Sequence, residues 1–404
     1  MKNQDKYAAL MDNLILISLC LLIIGLPFSN SIIEITASIA IALWFFKKAF
    51  ILRSFKIKDT PLNIPISIYF IFVALSLINT RFLMTSLTGF GFKAMEHFLL
   101  FVVIIDTVRT KADFKKLIAA ILFSCALIGI DGLWQFAAGH DFIRDYPLWS
   151  SGRLTASFKF PNGFGIWLAT LMPFCISLVI FSGKEKLYKV LGVFLTILLS
   201  VCLVLNFTRG AIIAALFALG FIAWKKGKIA RKALILILFM AVLGISLLAF
   251  YGGKEAISAY IFSSNSIIHR ISLTKLCWQM FMDQPFLGHG INTFMSIYGN
   301  YSSPELFGGV SYAHNCYLQI AVETGVFGLL AFLWVIAALF VSSLKDINRR
   351  KDGFVKACQL GLLAGLGAYL AHSAVDTNLY ALQLAILFYY LLGLVISAQN
   401  LKEI

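Results

Sequence analysis

The chain has 404 residues, of which 60% are hydrophobic and only 13% charged, and its mean hydropathy is +0.87. A soluble domain is about half apolar and about a quarter charged, so a soluble enzyme, a secreted disulfide scaffold and a disordered chain are all excluded. A net charge of +15 would suit nucleic acid, but the Lys and Arg residues fall in short clusters between apolar stretches. That is the charge pattern of a membrane protein; a nucleic-acid groove needs a continuous basic stripe interleaved with aromatics, so no nucleic-acid partner is expected.

In chain order, the first apolar stretch follows Met1–Met11 with no small-residue cleavage site after it, and is expected to be a retained anchor. A spanning helix needs about 20 mostly apolar residues. Twelve spans are predicted, at 12–29, 31–46, 62–78, 90–105, 115–137, 163–181, 187–205, 209–224, 233–250, 316–341, 354–371 and 379–397. The second and fourth are short. The expected fold is an all-α integral membrane protein, one polytopic domain over 1–404.

Basic residues settle the expected orientation. With the N-terminus inside, 25 of the 34 Lys and Arg fall on inner segments, among them Lys47, Lys48, Lys111, Lys115 and Arg350. The positive-inside rule then puts both termini in the cytoplasm. The inner loops are short. The outer ones include 138–162 and a much longer loop, 251–315, between the ninth and tenth spans. Long loops in compact structures tend to be functional, so any chemistry is expected to face outward.

Within that long loop, 266–283 reads as an amphipathic helix. Ile267, Ile271, Trp278 and Phe281 recur at helical spacing, while His269, Ser272, Lys275, Gln279 and Asp283 share the other side. The following Pro285-Phe286-Leu287-Gly288-His289-Gly290 reads as a turn, with His289 a turn residue rather than a catalyst. Cys277 and Cys316 flank the long loop. Two free thiols are the expected state, with a disulfide between them the lesser reading. Pro173 reads as a kink, and the Gly361/Gly365 pair as a close helix contact.

Three outer arginines stand apart from the inner clusters. Arg153 lies just before Pro161-Asn162-Gly163, Arg209 sits in Asn206-Phe207-Thr208-Arg209-Gly210 between two spans, and Arg270 sits near the start of the amphipathic segment. Charged groups at such depth are costly and usually face a polar cavity or a partner, and arginine grips phosphate oxygens bidentately. His314 stands where the long loop meets the tenth span, placed either to act as a general base or to cap the helix. His372 and Asp376 border the last outer turn, where a structural role is the simpler reading. No zinc motif, Asp-x-Asp pair or nucleotide-binding loop is visible, so no metal and no cofactor are expected.

Thr208-Arg209-Gly210, Arg270 with Trp278, Pro285–Gly290 and His314-Asn315-Cys316-Tyr317-Leu318 together resemble the bacterial O-antigen ligase family, which shares a superfamily with O-antigen polymerases. By motif the resemblance covers roughly 150–340. It implies a GT-C-like membrane glycosyltransferase of the bacterial inner membrane, with its site facing the periplasm. Such an enzyme moves a glycan from undecaprenyl pyrophosphate to lipid A–core oligosaccharide in lipopolysaccharide biosynthesis. On that resemblance Arg209 and Arg270 would bind the pyrophosphate, His314 would deprotonate the acceptor hydroxyl, and Arg153 would be a further donor contact. Asn162, Asn315 and Asp376 would be substrate contacts of the same rim, Asn315 also helping to hold the junction of loop and helix.

Three rivals are kept. An O-antigen polymerase would use the same donor. A protein O-oligosaccharyltransferase commonly carries a further C-terminal region, and the chain is expected to stop just after its last span. A transporter or flippase belongs to another class, and no inverted repeat or ion-coupling residues support it.

Overall fold

A computed structural model of the chain describes residues 2–149, 152–226, 264–301 and 312–401. The described residues are helical, with one isolated bridge between His140 and Pro147 and no strand. In chain order the helices are α1 (Lys2–Gly25), α2 (Asn30–Leu52), α3 (Asn63–Leu75), α4 (Leu83–Thr107), α5 (Lys111–Ala138) and α6 (Pro161–Phe181). They continue as α7 (Lys186–Asn206), α8 (Arg209–Lys226), α9 (Ser264–Asp283), α10 (Phe294–Tyr298), α11 (Cys316–Arg349), α12 (Gly353–His372) and α13 (Leu382–Gln399).

The protein is an all-α polytopic membrane protein. Nine of the described helices are long and apolar enough to cross a membrane. A shorter apolar helix over 63–78 and α8 occupy the third and eighth predicted spans, while the ninth, 233–250, lies outside the described residues. The two short spans are longer than their sequence implies. α2 continues through a π-helical turn at Lys47–Leu52, and α4 begins at Leu83 and carries a π segment at Phe90–Ala94. Those insertions shift the apolar stripe by one residue, which breaks the period that marks a span in sequence.

At the centre α6 and α12 pack against each other, with α7 and α8 against α6, and α8 also against α12. The close approach comes from small residues. A side chain at Gly361 would meet the Phe174 Cα at 2.7 Å, and one at Gly365 would run into the Thr170 carbonyl. This is how helices associate in lipid, where no hydrophobic force drives one apolar surface onto another. Outward-facing Leu14, Ile17, Ile35, Phe123, Phe194 and Ile197 are exposed, as lipid-facing positions should be.

The two ends of the bundle differ. At the basic end Lys47 is buried between Asp12 (2.5 Å) and Asp106 (3.6 Å), and Lys48 pairs with Asp106 at 3.0 Å. Lys111–Asp352 and Lys115–Glu185 pairs lie there too. The opposite end gathers the connection 139–160, the turn at 207–208, the segment 284–301 and the turn 373–381.

Candidate functional site

Four local devices build this end. The first holds the connection after α5. Asp131 accepts from the Phe142 N–H (3.0 Å) and the Ser157 hydroxyl (2.7 Å), and Gln135 accepts from the N–H groups of Thr155 and Ala156 while donating to the carbonyls of Tyr146 and Pro147. Asp141 accepts from the N–H groups of Ile143, Arg144 and Tyr146. A connection this long holds its shape because its backbone groups have partners.

The second is the turn between α7 and α8. The Asn206 amide donates to the carbonyls of Leu154 (2.7 Å) and Pro161 (2.8 Å), and Phe207 turns the chain with φ 54°. Arg153 ties this turn to the connection. Its Nε donates to the Asn206 carbonyl (3.0 Å), and one Nη donates to the Thr208 hydroxyl (2.7 Å) and to the Asn162 side-chain oxygen (3.4 Å).

The third is a break in α11. Gly325 has φ 69°, which interrupts the helical ladder, and the Pro285–Gly290 turn fills the gap. Val326 N–H donates to the Pro285 carbonyl (2.8 Å), His289 N–H to the Val322 carbonyl (2.9 Å) and Gly290 N–H to the Glu323 carbonyl (3.0 Å). The buried Glu323 carboxylate then accepts from the N–H groups of Asn292 (2.9 Å) and Phe294 (3.3 Å). The His289 ring meets the Met280 carbonyl at 2.7 Å, so this histidine serves the turn, as its two flanking glycines suggest.

The fourth docks the start of α11 on the turn after α12. Asn315 caps α11, its side chain accepting from the N–H groups of Tyr317 (3.0 Å) and Leu318 (3.1 Å). Cys316 N–H donates to the Ser373 carbonyl (2.8 Å), and its Sγ meets the Asp376 carbonyl (3.3 Å). His314, with φ 49°, is thereby set beside Asp376, Nδ1 to Oδ1 at 3.3 Å. The other oxygen of Asp376 accepts from the Asn162 amide at 2.9 Å.

A chain of polar contacts therefore runs His314–Asp376–Asn162–Arg153–Thr208 across α11, the turn after α12, the start of α6 and the turn before α8. Arg209 and Arg270 border it. Gly210 lies against the His372 ring, close enough that an added Cβ would come within 3.0 Å, and the charges of Arg270 and Asp376 both reach His372. Arg209 and Arg270 are exposed, whereas His314 is about one-third exposed. Burial works to raise the Asp376 carboxyl. The His314 hydrogen bond, His372 and the Thr377 N–H outweigh it and bring the carboxyl down to about 2, so it is an anion at neutral pH.

Sequence reasoning missed several of the holding residues. Asp131, Gln135 and Glu323 sit among apolar residues with no motif around them, and only their position within a span marks them. Helix α9 is present, but it packs through Leu273, Leu276, Cys277 and Met280, leaving Ile271, Trp278 and Met282 exposed. It has two apolar stripes, and periodicity alone cannot say which one the protein covers. Cys277 and Cys316 are free thiols. Among the described residues no group of three His, Cys, Asp or Glu side chains stands ready to hold a metal ion.

A model of the O-antigen ligase family matches residues 194–333, about a third of the chain. Residues 194–333 are an O-antigen ligase family domain. The family expected from the sequence is thus the one found, and its members transfer glycosyl groups from lipid-linked glycans. No curated protein matches the chain. The ligase-family segment runs from within α7 into α11 and contains Arg209, Arg270 and His314. Arg153, Asn162 and Asp376 lie outside it, and the fold brings them to the same end.

Proposed function

We propose that this protein is an O-antigen ligase of the bacterial inner membrane, with both termini in the cytoplasm and the site facing the periplasm. It transfers a glycan from undecaprenyl pyrophosphate to lipid A–core oligosaccharide. The observation that carries this reading is the His314–Asp376 contact at 3.3 Å, joined through Asn162 to Arg153 and bordered by Arg209 and Arg270, at the end of the bundle away from the basic clusters.

His314 turns Nδ1 toward an ionised carboxylate, so the neutral ring places its hydrogen on Nδ1 and offers the Nε2 lone pair as the base. The acceptor hydroxyl gives its proton to Nε2 as its oxygen attacks the anomeric carbon of the donor. The bond from that carbon to the pyrophosphate oxygen breaks, and undecaprenyl pyrophosphate leaves with the electron pair. A single displacement inverts the anomeric centre. Asp376 holds the ring and stabilises the imidazolium, as the carboxylate of a hydrolase triad does. Arg209 and Arg270 neutralise the charge that grows on the leaving pyrophosphate, while Arg153 fixes the Asn206–Arg209 turn and adds its own charge. Energy comes from the donor linkage, so neither a nucleotide nor a metal is needed.

The reading is tested by reconstituting purified protein with the lipid-linked glycan and lipid A–core in the presence of EDTA, beside the variants His314→Ala and Arg270→Ala. Glycan on lipid A–core, with each variant slowed by about 10²-fold or more, is the expected result. Longer lipid-linked glycan with none on the core would make the protein a polymerase. No transfer at all would overturn both.

A further inference from the structure

Above the end of α5 lies an open pocket of about 400 Å³ lined by Tyr146, Pro147, Leu148, Trp149, Thr155 and Lys159. None of these residues belongs to the contact chain of His314, yet the cavity adjoins it. Trp149 N–H donates to the Arg153 carbonyl at 3.1 Å, and Thr155 follows Arg153 by two residues. The walls are held rigid by Gln135, whose amide donates to Tyr146, Pro147 and Thr155. Trp149 is exposed, and its ring meets Phe160 edge-on at 5.7 Å. Lys159 lies over the Phe160 ring, and Arg144 over the Tyr146 ring at 5.0 Å.

We propose that this cavity is a saccharide subsite for the acceptor, taking a sugar ring that carries an anionic substituent such as phosphate. The volume suits a small ligand, for which such pockets run to a few hundred Å³. Indole and phenol rings offer flat apolar faces to the C–H face of a sugar, their polar edges remaining free to hydrogen-bond. Lys159 supplies the point charge for the anion. Near it, at the end of α5 and the start of the connection, Trp134 and Phe142 stand exposed with their rings edge-on at 6.4 Å, an apolar surface suited to a lipid-anchored saccharide.

Arg209, Arg270 and His314 fall within the family-matched residues 194–333, and the cavity falls outside them. This assignment rests on the ligase reading, and the experiment has one arm that does not. In that arm, deacylated core oligosaccharide with its phosphates intact is titrated into purified protein and followed by saturation-transfer NMR. Trp149→Ala is expected to weaken binding about tenfold and Trp149→Phe to restore most of it. Lys159→Gln weakens binding of the phosphorylated oligosaccharide but not of the dephosphorylated one.

In the transfer assay Trp149→Ala raises KM for lipid A–core with little change in kcat or in KM for the donor. Equal binding by wild type and Trp149→Ala overturns the proposal. A rise confined to the donor KM, or displacement of the oligosaccharide by glycerophosphoglycerol as a lipid-headgroup probe, overturns it too. Trp149-dependent binding in a protein that transfers no glycan would retire the ligase reading and leave the saccharide pocket standing.

Discussion

Asp376 is the residue on which the site turns. It accepts from His314 with one oxygen and from Asn162 with the other, so a single carboxylate joins the proposed base to the arginine that fixes the 206–209 turn. Asp376→Asn keeps the size but removes the charge that selects the ring tautomer. We expect glycan transfer to fall by about 10²- to 10⁴-fold with the protein still folded. The same variant has a second signature. The folded carboxyl, at about 2, lies below its ordinary value near 4. Its contribution to stability is therefore fully present above about pH 4 and is lost as pH falls toward 2, a change on the order of 2 kcal/mol. Thermal unfolding followed across that interval should show the wild type losing stability that Asp376→Asn never had. Identical acid profiles would show that the pair does not stabilise the fold.

Among the elements, α11 is the one whose irregularity does most to shape the site. His314 and the cap Asn315, just before its first turn, dock on the turn after α12, and its break at Gly325 admits the 285–290 turn, which leads back to α9 and Arg270. An Ala at Gly325 would need a left-handed backbone, and its Cβ would run into the Phe286 carbonyl. Gly325→Ala is expected to cost roughly 2–4 kcal/mol, combining backbone strain with overpacking. Hydrogen exchange should quicken first at the His289 and Gly290 amides, whose acceptors are the Val322 and Glu323 carbonyls. Unchanged protection there would mean the turn does not depend on the break.

For the whole molecule, the central pair α6 and α12 sets the geometry of everything at its end. α6 begins with Pro161 and Asn162, and α12 ends at His372, so the separation of these two helices fixes how far Asn162 stands from Asp376. Gly365 lies against the Thr170 backbone, leaving no room for a side chain. Gly365→Leu would force the pair apart by the width of that side chain. We expect a loss of about 3 kcal/mol in thermal stability and a fall in transfer activity, although the change lies well away from the proposed base. Full activity in this variant would argue that the two helices move independently of the site.

Much of this was legible in the sequence, because lipid imposes a rule the chain cannot evade. Every backbone group within the bilayer must be satisfied inside its own segment, so spans appear as apolar runs and their ends as clustered charge. The same logic made Arg153, Arg209 and His314 visible, since polar residues at span boundaries are few. Reading was poorest where a local irregularity broke the period, as in the π turns of α2 and α4, and where two apolar stripes competed, as in α9. Asn315 was read as a substrate contact that also holds the junction of loop and helix, and its side-chain oxygen accepts from two N–H groups of α11. Only the tertiary structure joined Asp376 to both His314 and Asn162, or set Glu323 beneath the 292–294 backbone. Those partners lie 29 to 214 residues apart along the chain, and it is packing between helices, not spacing along one, that brings them together.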